Sequence, residues 1–102
     1  MVLWSYTDFN TWVGLDQDSG SSQVLDKEVG LSVTLLELDN YNLYEIPPQI
    51  GLLINLEELN LSNNNITTLI PELGNLIKLR HINLENNQIT TLIPELGNLV
   101  NL

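Results

Sequence analysis

Residues 56–78 read LEELNLSNNNITTLIPELGNLIK, and residues 79–101 read LRHINLENNQITTLIPELGNLVN. Leu56, Leu79 and Leu102 stand at a constant spacing of 23 residues, and the segment ITTLIPELGNL is identical in both copies. Self-similarity at a period of about 20–29 residues with regularly placed leucines indicates a solenoid, in which each copy packs against the next.

The apolar positions of one copy predict its local structure. In the first copy these positions are Leu56, Leu59, Leu61, Ile66, Leu69, Leu73 and Leu76. Apolar and polar residues alternate around Asn60, as they do in a strand with one buried face. Pro71 and Gly74 argue against a long helix in the second half, so that half is predicted to be a loose turn or a short 3₁₀ helix. One copy cannot bury its own leucines, whereas stacked copies bury them against one another.

Asn64 and Asn87 occupy the same position in the two copies, where the strand must bend inward. An asparagine amide both donates and accepts hydrogen bonds, and buried backbone groups in such a bend need partners. A column of asparagines is therefore predicted to satisfy backbone groups of its own turn and of the neighbouring copy. Turn preference alone explains a single asparagine, but it explains the column less well.

The pattern LxxLxLxxNxIxxLIPELGNLxx resembles the leucine-rich repeat family, and its short length and late Pro-Glu-Leu-Gly resemble the repeats of Ras-group and bacterial members. The resemblance implies an α/β-type solenoid, a horseshoe segment with a parallel β-sheet on the concave face. It implies irregular or 3₁₀ turns on the convex face. It also implies recognition of protein partners without catalysis.

Counting back one period from Leu56 places three repeats at 33–55, 56–78 and 79–101, and Leu102 opens a further repeat. Tyr41 stands at the asparagine position of the first repeat, which leaves the start of the asparagine column at Asn64. A first repeat that adjoins a cap does not need that asparagine.

Residues 1–32 are predicted to be an N-terminal cap, because a first repeat exposes its apolar end unless something covers it. This segment holds the aromatic residues Trp4, Tyr6, Phe9 and Trp12, which bury a large area each. The residues 16–22 read as a loop, and residues 26–30 read as a short helical turn ending in glycine.

The segment Trp12-Val13-Gly14-Leu15-Asp16-Gln17-Asp18 resembles the WxGVxCD segment before the first repeat of many extracellular plant-type and bacterial leucine-rich repeat proteins. Gln17 replaces the cysteine, so the usual disulfide of that cap is absent. The resemblance implies an extracellular or cell-surface protein. The N-terminus lacks the basic and apolar regions of a secretory signal.

Composition excludes several classes of partner. Thirteen acidic residues stand against three basic ones, for a net charge of −10. Nucleic acid and anionic membrane surfaces are therefore disfavoured. The sequence contains no membrane-length apolar run and no cysteine for a disulfide or a thiolate metal site.

The outward strand positions form the candidate binding surface on the concave face. They are predicted to include Glu37, Asp39, Glu57, Glu58, Asn60, Ser62, Arg80, His81, Asn83 and Glu85. A ligand surface is one interpretation. The alternative is a solvated sheet face with cross-strand pairs such as Glu57 beside Arg80.

Catalysis and metal binding have little support in the sequence. His81 is the single histidine, and Ser62 is too generic to supply a nucleophile, so no catalytic residue is predicted. Glu37, Asp39 and Glu58 offer oxygen ligands, but nothing resembles a calcium loop, so no metal site and no cofactor are predicted. Asn60 and Asn65 each begin a glycosylation sequon, and Asn65 is expected in an exposed turn.

Two functions remain open at this point. The first is a non-catalytic protein-interaction module, which a solenoid's extended concave surface favours. The second is a structural protein that assembles head to tail, as a homo-oligomer, filament or surface layer, through an uncapped C-terminal end at Leu102. The near-identical turn segments favour the second function, while the differing strand positions favour the first.

Overall fold

The computed structural model of the protein describes residues 2–17 and 27–98. Four strands and two helices lie in these ranges, and each repeat adds a 3₁₀ helix. In chain order the elements are β1 (Leu3–Trp4), α1 (Tyr6–Gln17), α2 (Lys27–Leu31), β2 (Leu35–Glu37), η1 (Pro48–Leu52), β3 (Glu58–Asn60), η2 (Pro71–Asn75), β4 (His81–Asn83) and η3 (Pro94–Asn98). None of the helices in these ranges is long and apolar enough to cross a membrane.

The four strands form one parallel sheet in the order β1-β2-β3-β4. Leu36 aligns with Leu59, and Leu59 aligns with Ile82, so neighbouring repeats are in register at the period of the sequence. The N–H of Leu38 donates to the carbonyl of Asn60 at 2.8 Å, and the equivalent bond joins Leu61 to Asn83 at 2.8 Å. The predicted solenoid with a parallel sheet and 3₁₀ turns is confirmed.

The core is a column of aliphatic side chains between the sheet and the 3₁₀ helices. The apolar repeat positions fill it, and the fully buried members include Leu36, Leu38, Ile46, Ile50, Leu53, Leu56, Leu59, Leu61, Ile66, Leu73 and Leu76. Each 3₁₀ helix begins at a proline, whose fixed φ suits a helix start and whose missing N–H is not needed there. Each of these helices is short because its proline and glycine, which both disfavour the interior of an α-helix, stand within four residues of each other.

Gly51 lies where two successive 3₁₀ helices approach each other. A Cβ atom at this position would lie 3.0 Å from the carbonyl oxygen of Glu72 and 3.1 Å from the Nδ2 of Asn75. The repeat therefore needs glycine here because the backbone of the next repeat occupies the space of a side chain.

Residues of the predicted cap extend both the sheet and the core. Strand β1 pairs with β2, and the α1 side chains Phe9, Trp12 and Val13 are buried. The Trp12 ring lies 5.5 Å from that of Trp4 and 6.1 Å from that of Phe9, between centroids. These aromatic residues cover the apolar side of the first repeat, while the cap boundary at residue 32 stays a prediction.

The loop prediction for residues 16–22 is wrong at its start, because α1 continues through Asp16 to Gln17. Residues 18–22 lie outside the described ranges. The predicted turn at 26–30 corresponds to α2, and residue 26 also lies outside them. Sequence reasoning missed α1, although Phe9, Trp12 and Val13 follow helical spacing.

A capping box starts α1. The Asp8 Oδ2 accepts hydrogen bonds from the backbone N–H and the hydroxyl of Ser5, both at 3.1 Å, and the Ser5 Oγ accepts from the Asp8 N–H at 3.4 Å. The Ser-x-x-Asp spacing is a known helix-start signature, and it was available in the sequence.

Replacing Ser5 by alanine is expected to lower the free energy of unfolding by about 1 kcal/mol, because it removes the cap of the helix that covers the first repeat. Urea unfolding followed by circular dichroism measures the change. Thr7→Ala is the matched control in the same exposed first turn, and it is expected to have little effect. An equal loss in both variants would contradict the capping role.

Candidate functional site

The concave face of the sheet carries a groove of about 520 Å³. The middle residue of each strand, such as Leu59, points into the core, so the flanking residues Glu58 and Asn60 point outward. His81 and Asn83 do the same on the next strand. Strands β3 and β4 thus present a continuous polar surface at the floor of the groove, and β2 adds Leu35 and Glu37 to its lining.

Six of the ten predicted concave-face residues line this groove. They are Glu37, Glu58, Asn60, His81, Asn83 and Glu85. Alternation along each strand and register between strands bring them together, and both follow from the repeat.

The other four predicted residues, Asp39, Glu57, Ser62 and Arg80, lie outside the groove. Asp39 is half-buried past the end of β2, and its Oδ2 accepts a hydrogen bond from the Asn40 side chain at 3.1 Å. Glu57 and Arg80 lie in a narrow cleft at the edge of the sheet, with 3.8 Å between the Arg80 Nη1 and the Glu57 Oε1. This exposed pair is the predicted cross-strand pair, and it contributes little stability.

Ser62 was predicted on the exposed concave surface, but it is buried. Its hydroxyl and its N–H donate to the Asn60 Oδ1, at 2.7 and 3.0 Å. Within the described ranges, no group of three or more His, Asp or Glu side chains is placed to hold a metal ion, so Glu37, Asp39 and Glu58 do not converge.

Asn64 is buried at the bend after β3 and bonds two repeats together. Its Oδ1 accepts from the N–H groups of Tyr41 at 3.1 Å and Leu43 at 3.0 Å. Its Nδ2 donates to the carbonyls of Leu38 and Leu61, both at 2.9 Å. The geometry is that of the predicted asparagine column, in which one amide serves its own turn and the preceding repeat.

Asn87 repeats this arrangement one period later. Its Oδ1 accepts from the N–H of Ile66 at 3.1 Å, and its Nδ2 donates to Leu61 at 2.8 Å and Leu84 at 3.1 Å. Asn87 is half-buried, whereas only 4% of the Asn64 surface is exposed. Water can therefore replace the hydrogen bonds of the Asn87 amide more easily than those of the Asn64 amide.

Tyr41 takes the asparagine position without the asparagine role. The amides of the column reach back to the preceding repeat, and the unit that precedes Tyr41 is the predicted cap. The Tyr41 ring stacks instead on the Tyr6 ring, with centroids 4.1 Å apart and an interplanar angle of 12°. The departure from the repeat pattern thus makes a contact between the first repeat and α1.

A second asparagine column was missed by the sequence analysis. Asn40, Asn63 and Asn86 all adopt positive φ, between 57° and 64°. Asparagine tolerates this left-handed conformation better than most residues, and the Asn86 Nδ2 donates to the Asn63 Oδ1 at 2.8 Å. The recurrence of Asn one residue before the Asn64 position was the available signal.

The two sequons differ less in exposure than expected. Asn60 is half-buried, and its Oδ1 is engaged by Ser62. Asn65 was expected in an exposed turn but is half-buried as well, and its N–H donates to the Leu43 carbonyl at 2.8 Å.

Residues 54–98 match the protein-family model described as leucine-rich repeats in two copies. With the strand register described above, this match shows that the segment consists of leucine-rich repeats. The chain therefore contains leucine-rich repeats over residues 54–98, and proteins with such repeats generally serve as protein-interaction modules.

Solved structures with similarity to the chain include a leucine-rich repeat protein of Leptospira interrogans. The sequence identity is 27% and the TM-score is 0.49; the match covers 74% of this chain and 25% of that protein. The chain thus spans about a quarter of the length of that relative. No curated protein matches the sequence.

Proposed function

We propose that this protein is a non-catalytic interaction module that binds a protein partner in the groove on its concave face. The observation that carries the proposal is the groove itself, where Glu58 and His81 project from adjacent strands above a rigid core. Both side chains are exposed, so binding would require little rearrangement of the fold.

A random-peptide display selection on the wild-type protein tests this proposal. Selected peptides are expected to lose at least about tenfold in affinity for the double variant Glu58→Ala/His81→Ala. Thr67→Ala/Thr90→Ala is the matched control, because both threonines are exposed, share one repeat position and lie outside the groove. Peptides that bind the groove variant as tightly as the wild type, or a selection without groove-dependent peptides, would contradict the proposal.

A second candidate function is head-to-tail assembly into a filament or surface layer. The last described repeat favours it, because it exposes positions that the preceding repeat buries. Leu92 is 73% exposed and the equivalent Leu69 is 5% exposed, while Ile82 and Leu84 are only half-buried. A further repeat packed on this side would cover the apolar surface.

Light scattering over a dilution series tests assembly. If this surface joins copies of the chain, the wild type forms concentration-dependent large species and Leu92→Asp shifts them toward monomer. Thr91→Asp, at the neighbouring exposed position, controls for the added charge. A monomer at every concentration would contradict assembly and would leave the groove as the functional surface.

An extracellular or cell-surface location is also proposed, supported by the resemblance of residues 12–18 to an extracellular cap segment. Glycosylation at Asn60 or Asn65 would accompany such a location in a glycosylating cell. Mass spectrometry of the protein from its native source tests both points, because a glycan on either asparagine requires passage through the secretory route.

A further inference from the structure

The groove continues into an apolar surface at the cap end of the sheet. Leu3 aligns with Leu35, Leu35 aligns with Glu58, and Glu58 aligns with His81. Aligned residues of a parallel sheet project from the same face, so two leucines and two polar residues form one row across the four strands. Leu3 is 50% exposed and Leu35 is half-buried within the groove lining.

Exposed leucines on a sheet face leave apolar surface in water, and exposed apolar patches mark interaction sites. The core already contains the opposite face of these strands, through Trp4 and Leu36. The exposed surface of Leu3 and Leu35 therefore does not contribute to the core, and a partner bound in the groove would contact it.

The remainder of the groove is acidic. Glu37 follows Leu35 by two residues on the same face, Glu58 lies beside Leu35 on the next strand, and Glu85 also lines the groove. No lysine or arginine occurs among the described residues that line it. The single arginine of the sequence, Arg80, lies in the neighbouring cleft, which Glu58 also lines, and it is paired with Glu57. A cationic partner group would therefore meet two carboxylates, Glu37 and Glu58, that form no ion pair with a lysine or arginine in the described ranges.

We infer that the partner is an extended segment that places an apolar side chain on Leu3 and Leu35 and a lysine or arginine between Glu37 and Glu58. This inference rests on the proposed function of the groove and specifies the chemistry of its partner. Strands lie about 4.8 Å apart and residues two apart on one strand about 6.7 Å, so a point midway between Glu37 and Glu58 is about 6 Å from the middle of the leucine pair. Same-side residues of an extended chain, two positions apart, are separated by about 6–7 Å. The apolar and cationic residues of the partner are thus spaced i and i+2.

The sequences of the groove-dependent peptides from the display selection test this inference. Relative to the input library, they are expected to be enriched in lysine and arginine two positions from a large apolar residue, and depleted in aspartate and glutamate. Their binding weakens when the ionic strength rises from about 0.05 M to about 0.5 M, because the salt screens the exposed charge pairs.

Single substitutions test the charged contact and the apolar contact with the partner separately. Glu58→Gln is expected to weaken binding and reduce its salt dependence, while Glu45→Gln, exposed outside the groove, leaves both unchanged. Leu35→Thr is expected to weaken binding by about tenfold without changing the salt dependence. Ile54→Thr, at an exposed position away from the groove, is its control. Leu3→Thr repeats the test at a more exposed leucine if Leu35→Thr alters folding.

The possible outcomes distinguish this inference from the proposed function. Groove-dependent peptides without cationic enrichment, or with binding unaffected by the leucine substitutions, would overturn the inference and leave the groove as a binding site. A selection without groove-dependent peptides would overturn both.

Discussion

Replacing Leu59 by aspartate is expected to unfold the protein. Leu59 is 2% exposed in the centre of β3, and it packs between the aligned residues Leu36 and Ile82. An unpaired carboxylate at this position loses its hydration without gaining a partner, at a cost of about 4–5 kcal/mol or more. The total stability of a domain is about 5–15 kcal/mol, and each repeat of a solenoid packs only against its neighbours, so the loss of one repeat exposes the next.

Circular dichroism and urea unfolding measure this effect, and Ile82→Asp is its matched control. Ile82 holds the same repeat position but is only half-buried, so its aspartate retains contact with water. We expect Ile82→Asp to fold with a reduced urea midpoint and Leu59→Asp to lack a cooperative transition. A wild-type unfolding curve for Leu59→Asp would place residue 59 outside the core and refute the strand register.

Replacing Asn64 by alanine is expected to lower the free energy of unfolding by about 3 kcal/mol or more. The change leaves the N–H groups of Tyr41 and Leu43 and the carbonyl of Leu38 without their amide partner. Each buried backbone group left without a hydrogen bond costs about 1–3 kcal/mol. The position is 4% exposed, so water reaches these groups poorly.

Asn87→Ala is the control at the equivalent position. It is expected to cost about 1–2 kcal/mol, because Asn87 is half-buried and water replaces part of its hydrogen bonding. Amide hydrogen exchange gives a local readout, in which Asn64→Ala speeds exchange at Tyr41 and Leu43. Equal losses of stability in the two variants would show that burial does not determine how much each asparagine of the column stabilises the fold.

Much of the groove lining was predictable from the sequence. Alternation around Leu59 and Ile82 assigns Glu58, Asn60, His81 and Asn83 to the outward face. The residues that were misplaced lie just beyond the strand ends, where strand pairing no longer fixes the position of a side chain. Ser62 is an example, because it is buried and bonded to the Asn60 side chain, whereas Glu85 at the equivalent position of the next repeat is exposed and lines the groove.

The cap was less predictable, because residues 1–32 contain no repeat. Leu3 aligns with Leu35 across 32 residues and not across the repeat period, so counting along the sequence does not find β1. Nor does it show that Tyr41 stacks on Tyr6. These contacts depend on how α1 and the first repeat pack together.

The sequence by itself determined the solenoid, its core and its asparagine column. Each repeat contacts only its neighbours, so one period specifies every interface between copies. Only the tertiary structure decided that Leu3 joins the row of Leu35 and Glu58, and that Asp39 and Glu57 lie outside the groove. The physical reason is that these arrangements arise where the periodic contacts stop, at strand ends and at the cap, and there non-local packing sets the position of each side chain.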